Sequence, residues 1–222
     1  MPTRHTATLH IYRFELLLFA LIMLLFNKIF FVSNLIYLTY VWPLNMILLG
    51  LVSVGMFKEE KRWVKWVKNL LFAGSVLIPF NFTLIFASPV LTGIGIGIYI
   101  AYYSLLFIEV LRQITTPGEV TTGIILGSVS GYLLLAVVAT FCFLLLEYYL
   151  PASFNGTTAN NIPLFYTEIS YFSLITLSTI GYGDITPVNN SARLLAAFFG
   201  MAGQFYMVTL VGIIIAKFTS KN

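Results

Sequence analysis

A chain of 222 residues in which 59% of the side chains are hydrophobic and only 9% are charged has too little polar surface to cover a soluble globule, where about 25% charge is usual. The net charge of +4 does not point to nucleic acid, because the cations are spread among loops rather than gathered on a polar domain. A bilayer is the implied solvent, and the composition reads as an integral, multi-pass membrane protein.

Apolar runs close to the ~20 residues that cross a ~30 Å hydrocarbon layer recur along the chain. They predict six spans, at 13–33, 35–57, 69–88, 90–111, 121–147 and 190–216. The first is interrupted by Glu15, Asn27 and Lys28, and Lys28 is expected to bend its stem outward to water. Arg4 and Arg13 ahead of an apolar core also suit a signal peptide, but no small-x-small cleavage site follows. After the second span, KEEKRWVKWVK (Lys58 to Lys68) sets Trp63, Val64, Trp66 and Val67 against Lys61, Arg62, Lys65 and Lys68 at helical spacing. That pattern predicts an amphipathic helix on anionic lipid headgroups, acting as an interfacial anchor or a lipid sensor.

The fourth span, LTGIGIGIYIAYYSLLFIEVL from Leu91 to Leu111, contains no cation; its only charge, Glu109, lies at the inner end and is followed by Arg112. Gly93, Gly95 and Gly97 alternate as in a strand, but the long apolar run favours a helix. Thr116-Pro117-Gly118-Glu119 reads as a capping box, so the fifth helix is expected to begin there and leave a connector of only Arg112 to Thr115. So short a tether predicts that spans one to four pack against the pore region of their own chain. In the fifth span, Gly123, Gly127 and Gly131 form a small-residue face suited to contact with the sixth helix. Cys142, the lone cysteine, reads as a small buried hydrophobe.

Residues 148–189 are the informative segment. A polar turret, Pro151 to Asn161, carries the sequon Asn155-Gly156-Thr157, a weak signal since Asn81-Phe82-Thr83 matches the same pattern inside a predicted span. Pro163 can then open a helix through Leu177, about 20 Å long and so able to enter a membrane only partway. The chain must return as non-helical backbone, which is tolerated in a bilayer only where it is buried in protein or lines a watery cavity. Gly181 and Gly183 alternate with Ile180 and Tyr182, and glycine accepts the positive φ angles that turn successive carbonyls to one side. Four such strands would stack rings of oxygens able to replace the water around a cation, with the Thr179 hydroxyl as the lowest ring. The negative end of the preceding helix dipole favours a cation at the same place.

Thr179-Ile180-Gly181-Tyr182-Gly183-Asp184, with Thr176-Leu177-Ser178 before it and a long span on either side, resembles the potassium channel signature T-V/I-G-Y-G-D. The resemblance is strong from about 163 to 216 and only architectural before 121. It implies an all-α membrane protein of six transmembrane helices plus a re-entrant pore helix and selectivity filter, assembled as a homotetramer around a central pore. It implies that K+ passes Thr179, Ile180, Gly181, Tyr182 and Gly183, supported by Asp184, Tyr171, Phe172, Thr176 and Ser178. K+ is the permeant ion, and no cofactor is implied.

Further features follow from the same resemblance. Tyr171 and Phe172 match the family's aromatic belt around the filter, and Tyr171 is placed to donate a hydrogen bond to Asp184. Gly203 falls where the family's inner helix often bends, and either it or Gly200 is a hinge or a packing glycine. Ile175 stands where some members have a glutamate behind the filter, so inactivation that depends on that carboxyl is not implied. The plan also resembles voltage-gated members. Voltage sensing, however, needs several Arg or Lys at every third position, and the fourth span has none, so voltage-insensitive opening is expected.

Two domains are thus expected: 1–115, a four-helix scaffold or sensor-like unit with the amphipathic linker 58–68, and 116–222, a pore unit with pore helix 163–177, filter 179–184 and inner helix 190–216. With both termini cytoplasmic in a cell membrane, every Lys and Arg except Lys28 and Arg193 faces the cytoplasm. No polar stretch is long enough for a cytoplasmic ligand-binding domain. A non-selective cation channel and a non-conducting accessory or scaffold protein are the alternatives. An enzyme is not expected, since His5 and His10 have no partner cluster, and a transporter would need intramembrane carboxylates that are missing.

Overall fold

A computed structural model describes residues 12–31, 33–57, 69–70, 72–74, 89–116, 121–158 and 162–219. The amphipathic segment 58–68, most of the expected third span, His5, His10 and the Asn81 sequon lie outside the described residues. Seven helices are described: α1 (Arg13–Phe26), α2 (Asn34–Ile36), α3 (Trp42–Val54), α4 (Pro89–Thr115), α5 (Thr122–Tyr149), α6 (Ile162–Leu177) and α7 (Asn190–Thr219). Two short strands, β1 (Phe154–Asn155) and β2 (Thr186–Pro187), pair antiparallel. Among the described residues, three helical stretches are long and apolar enough to cross a membrane: Val90–Thr115, Thr122–Tyr149 and Asn190–Ile213.

The first predicted span is not one long helix. After α1 the chain tightens into a 3-10 turn, Asn27–Phe30, in which Lys28 is half-buried. Its Nζ donates to the Phe31 carbonyl at 2.7 Å and lies 5.3 Å from the centre of the Tyr37 ring. The ammonium thus takes a carbonyl and an aromatic face as partners at the helix end. The second span is also interrupted: α2 passes through a widened π turn, Tyr37–Val41, into α3. Pro43 is the cause, because it has no N–H for the carbonyl one turn back and its ring crowds that oxygen, a misfit that a wider turn absorbs.

The fifth helix begins later than the capping box predicted. Thr121, in extended conformation, accepts the Ile124 N–H on its side chain at 3.3 Å, so α5 starts at Thr122. The Thr116 hydroxyl turns back instead and donates to the Arg112 carbonyl at 2.7 Å, finishing α4. The alternating glycines at 93, 95 and 97 lie within α4, where Gly93 admits Tyr148 and Tyr149 of α5 and the space beside Gly97 is open.

Helix α5 is the hub, touching α1, α4, α6 and α7 of its own chain. Its glycine face was expected to meet the last helix, and only Gly131 does. Gly123 and Gly127 accommodate the Phe14 ring of α1, with Ile114 of α4 also against Gly127, while Gly131 accommodates Tyr206 of α7. The last helix meets the hub mainly through bulkier side chains, which leaves the two amino-terminal glycines to the helix that crosses there.

Mid-height, an aromatic layer joins four helices. Phe141 of α5 stacks on Tyr99 of α4 at 4.7 Å and contacts Tyr103 at 5.7 Å and Tyr166 of α6 at 5.5 Å, and Trp42 of α3 meets Tyr166 edge-on at 5.8 Å. These rings are almost fully buried. Hydroxyls in the apolar helices satisfy themselves one turn back, as Ser128, Ser130, Thr140, Ser170 and Ser173 do at 2.7 to 2.8 Å. Near the end of α4 the buried Glu109 accepts from Gln113 at 2.7 Å and has Arg112 at 4.0 Å, while Gln113 also donates to the Met56 carbonyl at 2.6 Å. Cys142 is half-buried and free.

Because Phe141 connects α4, α5 and α6 at once, Phe141→Ala is expected to lower stability by about 3 kcal/mol and Phe141→Leu by about 1 kcal/mol. Thermal unfolding of the purified protein in detergent checks the order.

Candidate ion-conduction site

Helix α6 runs from Ile162 to Leu177 and buries Phe165, Tyr166, Ile169, Phe172, Ser173, Ile175 and Leu177. It stops because the following backbone turns back on its last carbonyls. Ser178 N–H donates to the Leu174 carbonyl at 3.0 Å and Thr179 N–H to Thr176 at 3.1 Å. Ile180 and Gly181 N–H converge on Ile175 at 2.9 and 3.2 Å. Four donors of the returning strand are thus spent on orphan carbonyls of the helix end. Among the described residues, no donor reaches the carbonyl oxygens of Thr179, Ile180, Gly181, Tyr182 or Gly183.

Positive φ angles occur at Thr179 (58°), Gly181 (53°) and Gly183 (82°), while Ile180 and Tyr182 between them keep negative values. Alternating left- and right-handed residues point successive carbonyls the same way, whereas an ordinary strand points them alternately. Glycine adopts this backbone freely at 181 and 183. Thr179 does not: a β-branched residue held there stores roughly 1–3 kcal/mol of strain. The segment 179–184 is exposed throughout, with Tyr182 at 73% and Ile180 at 54%.

The outer end of this strand is fixed by several contacts. Tyr171 donates to Asp184 Oδ2 at 2.7 Å, tying α6 to the end of the strand, and this bond holds the Asp184 carboxyl below its usual value. The turret presses on the same point: Gly156, at φ 86°, lies against the Asp184 carbonyl so closely that a side chain there would overlap it. Pairing of Phe154 with Pro187 and of Asn155 with Thr186 completes the latch, so Asn155, the first residue of the sequon, ends β1. Phe172, expected in a belt around the filter, is buried in an aromatic cluster of its own chain. It meets Phe143 at 5.2 Å and Phe154 at 5.3 Å, and Phe143 also contacts Phe199 of α7 at 5.5 Å. Ile175 is buried against the back of the strand. Ser178 Oγ donates to Leu174 O at 2.7 Å, and Thr176 lends its carbonyl to Thr179.

The two inner-helix glycines differ. A Cβ on Gly203 would come within 2.5 Å of the Leu177 carbonyl oxygen, whereas one on Gly200 would make ordinary contact with the Thr176 carbonyl at 3.7 Å. Gly203 is therefore a packing glycine that lets α7 touch the end of the pore helix, and α7 is assigned as one helix through this point.

The sequence reading passed over the polar groups that hold the turret. Glu147 accepts the N–H groups of Ala152 and Ser153, both at 2.8 Å. Glu168 accepts from the Thr158 hydroxyl at 2.6 Å and from its N–H. Asn189 donates to Ser153 Oγ at 2.6 Å and caps α7 by accepting Ala192 N–H at 2.8 Å. Only Asn189 had a local signal, an Asn just before a long apolar run; the two glutamates find partners five to ten residues away through the turn geometry.

On α7, Leu194, Phe198, Met201, Phe205, Val208 and Ile215 recur at helical spacing, and each is more than half exposed. This apolar stripe lies on the same helix that abuts the exposed strand.

Comparisons with known proteins bear on the same region. Residues 131–220 match the family model described as ion channel. The voltage-gated potassium channel Kch of Escherichia coli (strain K12) is 32% identical over 154 residues, covering 68% of this chain and 32% of that relative. Two pore potassium channel b of Oryza sativa subsp. japonica is 43% identical over 47 residues, 21% of this chain and 12% of the relative. Two-pore potassium channel 4 of Arabidopsis thaliana is 28% identical over 108 residues, 49% of this chain and 35% of the relative. This chain belongs to the potassium channel family. It spans about a third or less of the length of these curated relatives. No solved structure matches it.

Two outcomes are expected for this potassium channel family member. Gly203→Ala should lower thermal stability in detergent by about 1–3 kcal/mol through the forced contact with Leu177. Gly200→Ala should be neutral or slightly stabilising, since it gains helix propensity without a clash. The Asp184 shift gives the second. Its folded-state value is lowered, so the stabilisation from its bond to Tyr171 is present at neutral pH and lost as pH falls through that lowered value. In Tyr171→Phe the carboxyl should titrate at higher pH than in the unaltered protein, which carboxylate NMR on labelled aspartate reads directly.

Proposed function

We propose that four copies of this chain form a potassium-selective channel in a cell membrane, with residues 179–183 of each lining one axis. The observation that carries this reading is the φ alternation at Thr179, Gly181 and Gly183, with the strand's N–H groups tied to its own pore helix and its carbonyls left free. Rings of such oxygens can replace the hydration shell of a large monovalent cation. Thr179 supplies a hydroxyl as well as a carbonyl, and Ile180, Gly181, Tyr182 and Gly183 supply carbonyls. Asp184, Tyr171, Thr176 and Ser178 hold the strand in register, and Phe172 supports it from behind.

The tetramer reading draws on the exposed stripe of α7. An inner helix with Phe198, Phe205 and Val208 uncovered beside an exposed polar backbone suits neither lipid nor water alone. Copies of itself would cover the apolar stripe and enclose the backbone around water and ions.

Six spans per subunit are proposed, with the turret and strand outside and the end bearing Arg13 and Arg112 in the cytoplasm. Opening is proposed to be voltage-independent, since α4 carries only Glu109 and Arg112 at one end. The name of the Escherichia coli relative supplies the alternative outcome. Anionic lipids are proposed to bind at Lys61, Arg62, Lys65 and Lys68.

The test is ion flux from liposomes holding the purified chain. Potassium gradients should drive a barium-sensitive flux with little sodium permeability, and current should not change steeply with voltage. Gly181→Asp should abolish flux while tetramers persist by native mass measurement. Equal sodium and potassium permeability, or ordinary currents from Gly181→Asp, would remove this assignment.

A further inference from the structure

Beyond Gly203, most described side chains of α7 are exposed or half-buried. Among the described side chains from 204 onward, only Tyr206 is buried; the rest are exposed or half-buried. Its hydroxyl donates to the Ser128 carbonyl of α5 at 2.6 Å. Its ring lies between Phe107 of α4, at 6.0 Å, and Tyr132 of α5, at 5.9 Å. Gly131 is what allows this approach, because a Cβ there would run into the Tyr206 hydroxyl.

Beside the ring is a cavity of about 460 Å3 lined by Phe107, Leu111 and Ile114 of α4 and Phe205, Leu210 and Ile213 of α7, among others. Among the described residues, the cytoplasmic half of α7 thus makes a buried polar contact with α5 at Tyr206, beside an apolar groove. Close packing resists motion because any shift must create a void. Here the apolar groove is open on one side, so the Tyr206–Ser128 hydrogen bond is a specific contact that fixes where α7 sits against α5.

We propose that Tyr206 is a positioning residue for the gate: its bond to the Ser128 carbonyl fixes the cytoplasmic half of the inner helix against α5, and losing the bond shifts the balance between open and closed pores. This rests on the channel reading. The contact lies on the α5 side of α7, away from the residues of the filter, so it sets the position of the helix and not the chemistry of permeation. Interhelical hydrogen bonds in membranes are modest, and removing the hydroxyl should change the open–closed equilibrium constant roughly threefold. Gly131→Ala attacks the same bond from the other side and should shift the equilibrium in the same direction.

Two measurements on the full chain test this. Single-channel recording of Tyr206→Phe in bilayers should show open probability changed by about threefold, with unitary conductance and potassium-to-sodium selectivity as in the unaltered chain. Amide hydrogen exchange in lipid nanodiscs should rise over 207–213 and stay unchanged over 192–202. The exchange measurement needs no conduction, so it decides the latch even if the chain passes no ion, a result that would instead remove the channel reading. Unchanged exchange over 207–213 overturns the proposal. So does unchanged open probability in a conducting chain, a shift of opposite sign in Gly131→Ala, or altered conductance and selectivity, which would mark Tyr206 as a general structural residue.

Discussion

The constraint from which the rest follows is that a peptide chain outside a helix has two kinds of polar group to satisfy, and here they are satisfied by different partners. The N–H groups of residues 178–181 bond to carbonyls at the end of the chain's own pore helix. The carbonyls of 179–183 receive no donor from the described residues. Leaving a carbonyl unpaired in an apolar setting costs several kcal/mol, so five in succession demand something else that is positive or polar. Water or a cation in a central pore meets that demand under the proposed function. The fold is then a device for holding a strand whose donors are used up and whose acceptors are open.

Holding it requires rigidity, because the strand is not a low-energy conformation. Thr179 at positive φ is strained, and the tetramer proposed here would repeat the strain in every copy. Compensation comes from both ends. At the inner end the helix carbonyls fix the backbone, and α7 can press against Leu177 only because residue 203 has no side chain. At the outer end the Tyr171–Asp184 bond, the β1–β2 ladder and the close fit of Gly156 restrain the exit. Behind lies the cluster of Phe143, Phe154, Phe172 and Phe199, which ties turret, pore helix, α5 and α7 into one unit.

Sequence gave access to some of this and not the rest, for physical reasons. The Gly-x-Gly alternation was legible because only glycine takes positive φ without strain, so a backbone requirement leaves a side-chain trace. The Tyr171 to Asp184 bond was legible through resemblance. Thr179 was read as a hydroxyl ligand, and its backbone strain left no trace because nothing in its identity announces it. Phe172 was singled out by resemblance, but helix periodicity does not say which rings it meets, here Phe143 and Phe154. The start of α5 was misread because Thr116 and Thr121 are both capable caps, and Thr116 serves α4 instead. A continuous second span was expected where Pro43 widens the helix, since hydropathy averages over a single residue that alters hydrogen bonding.

The link between the amino-terminal helices and the pore also limits what those helices could transmit. The buried contact runs through rings: Trp42, Tyr99 and Tyr103 on one side, Phe141 and Tyr166 on the other. A change in membrane potential acts on charge, at ~2.3 kcal/mol per elementary charge moved through 100 mV. In α4 the described charges are Glu109 and Arg112, of opposite sign, 4.0 Å apart and at the same end of the helix. Moved together they carry almost no net charge, so a field would do almost no work on α4. Since α4 and α7 meet at Phe107 and Tyr206, a displacement of α4 would reach α7 without passing through residues 179–184.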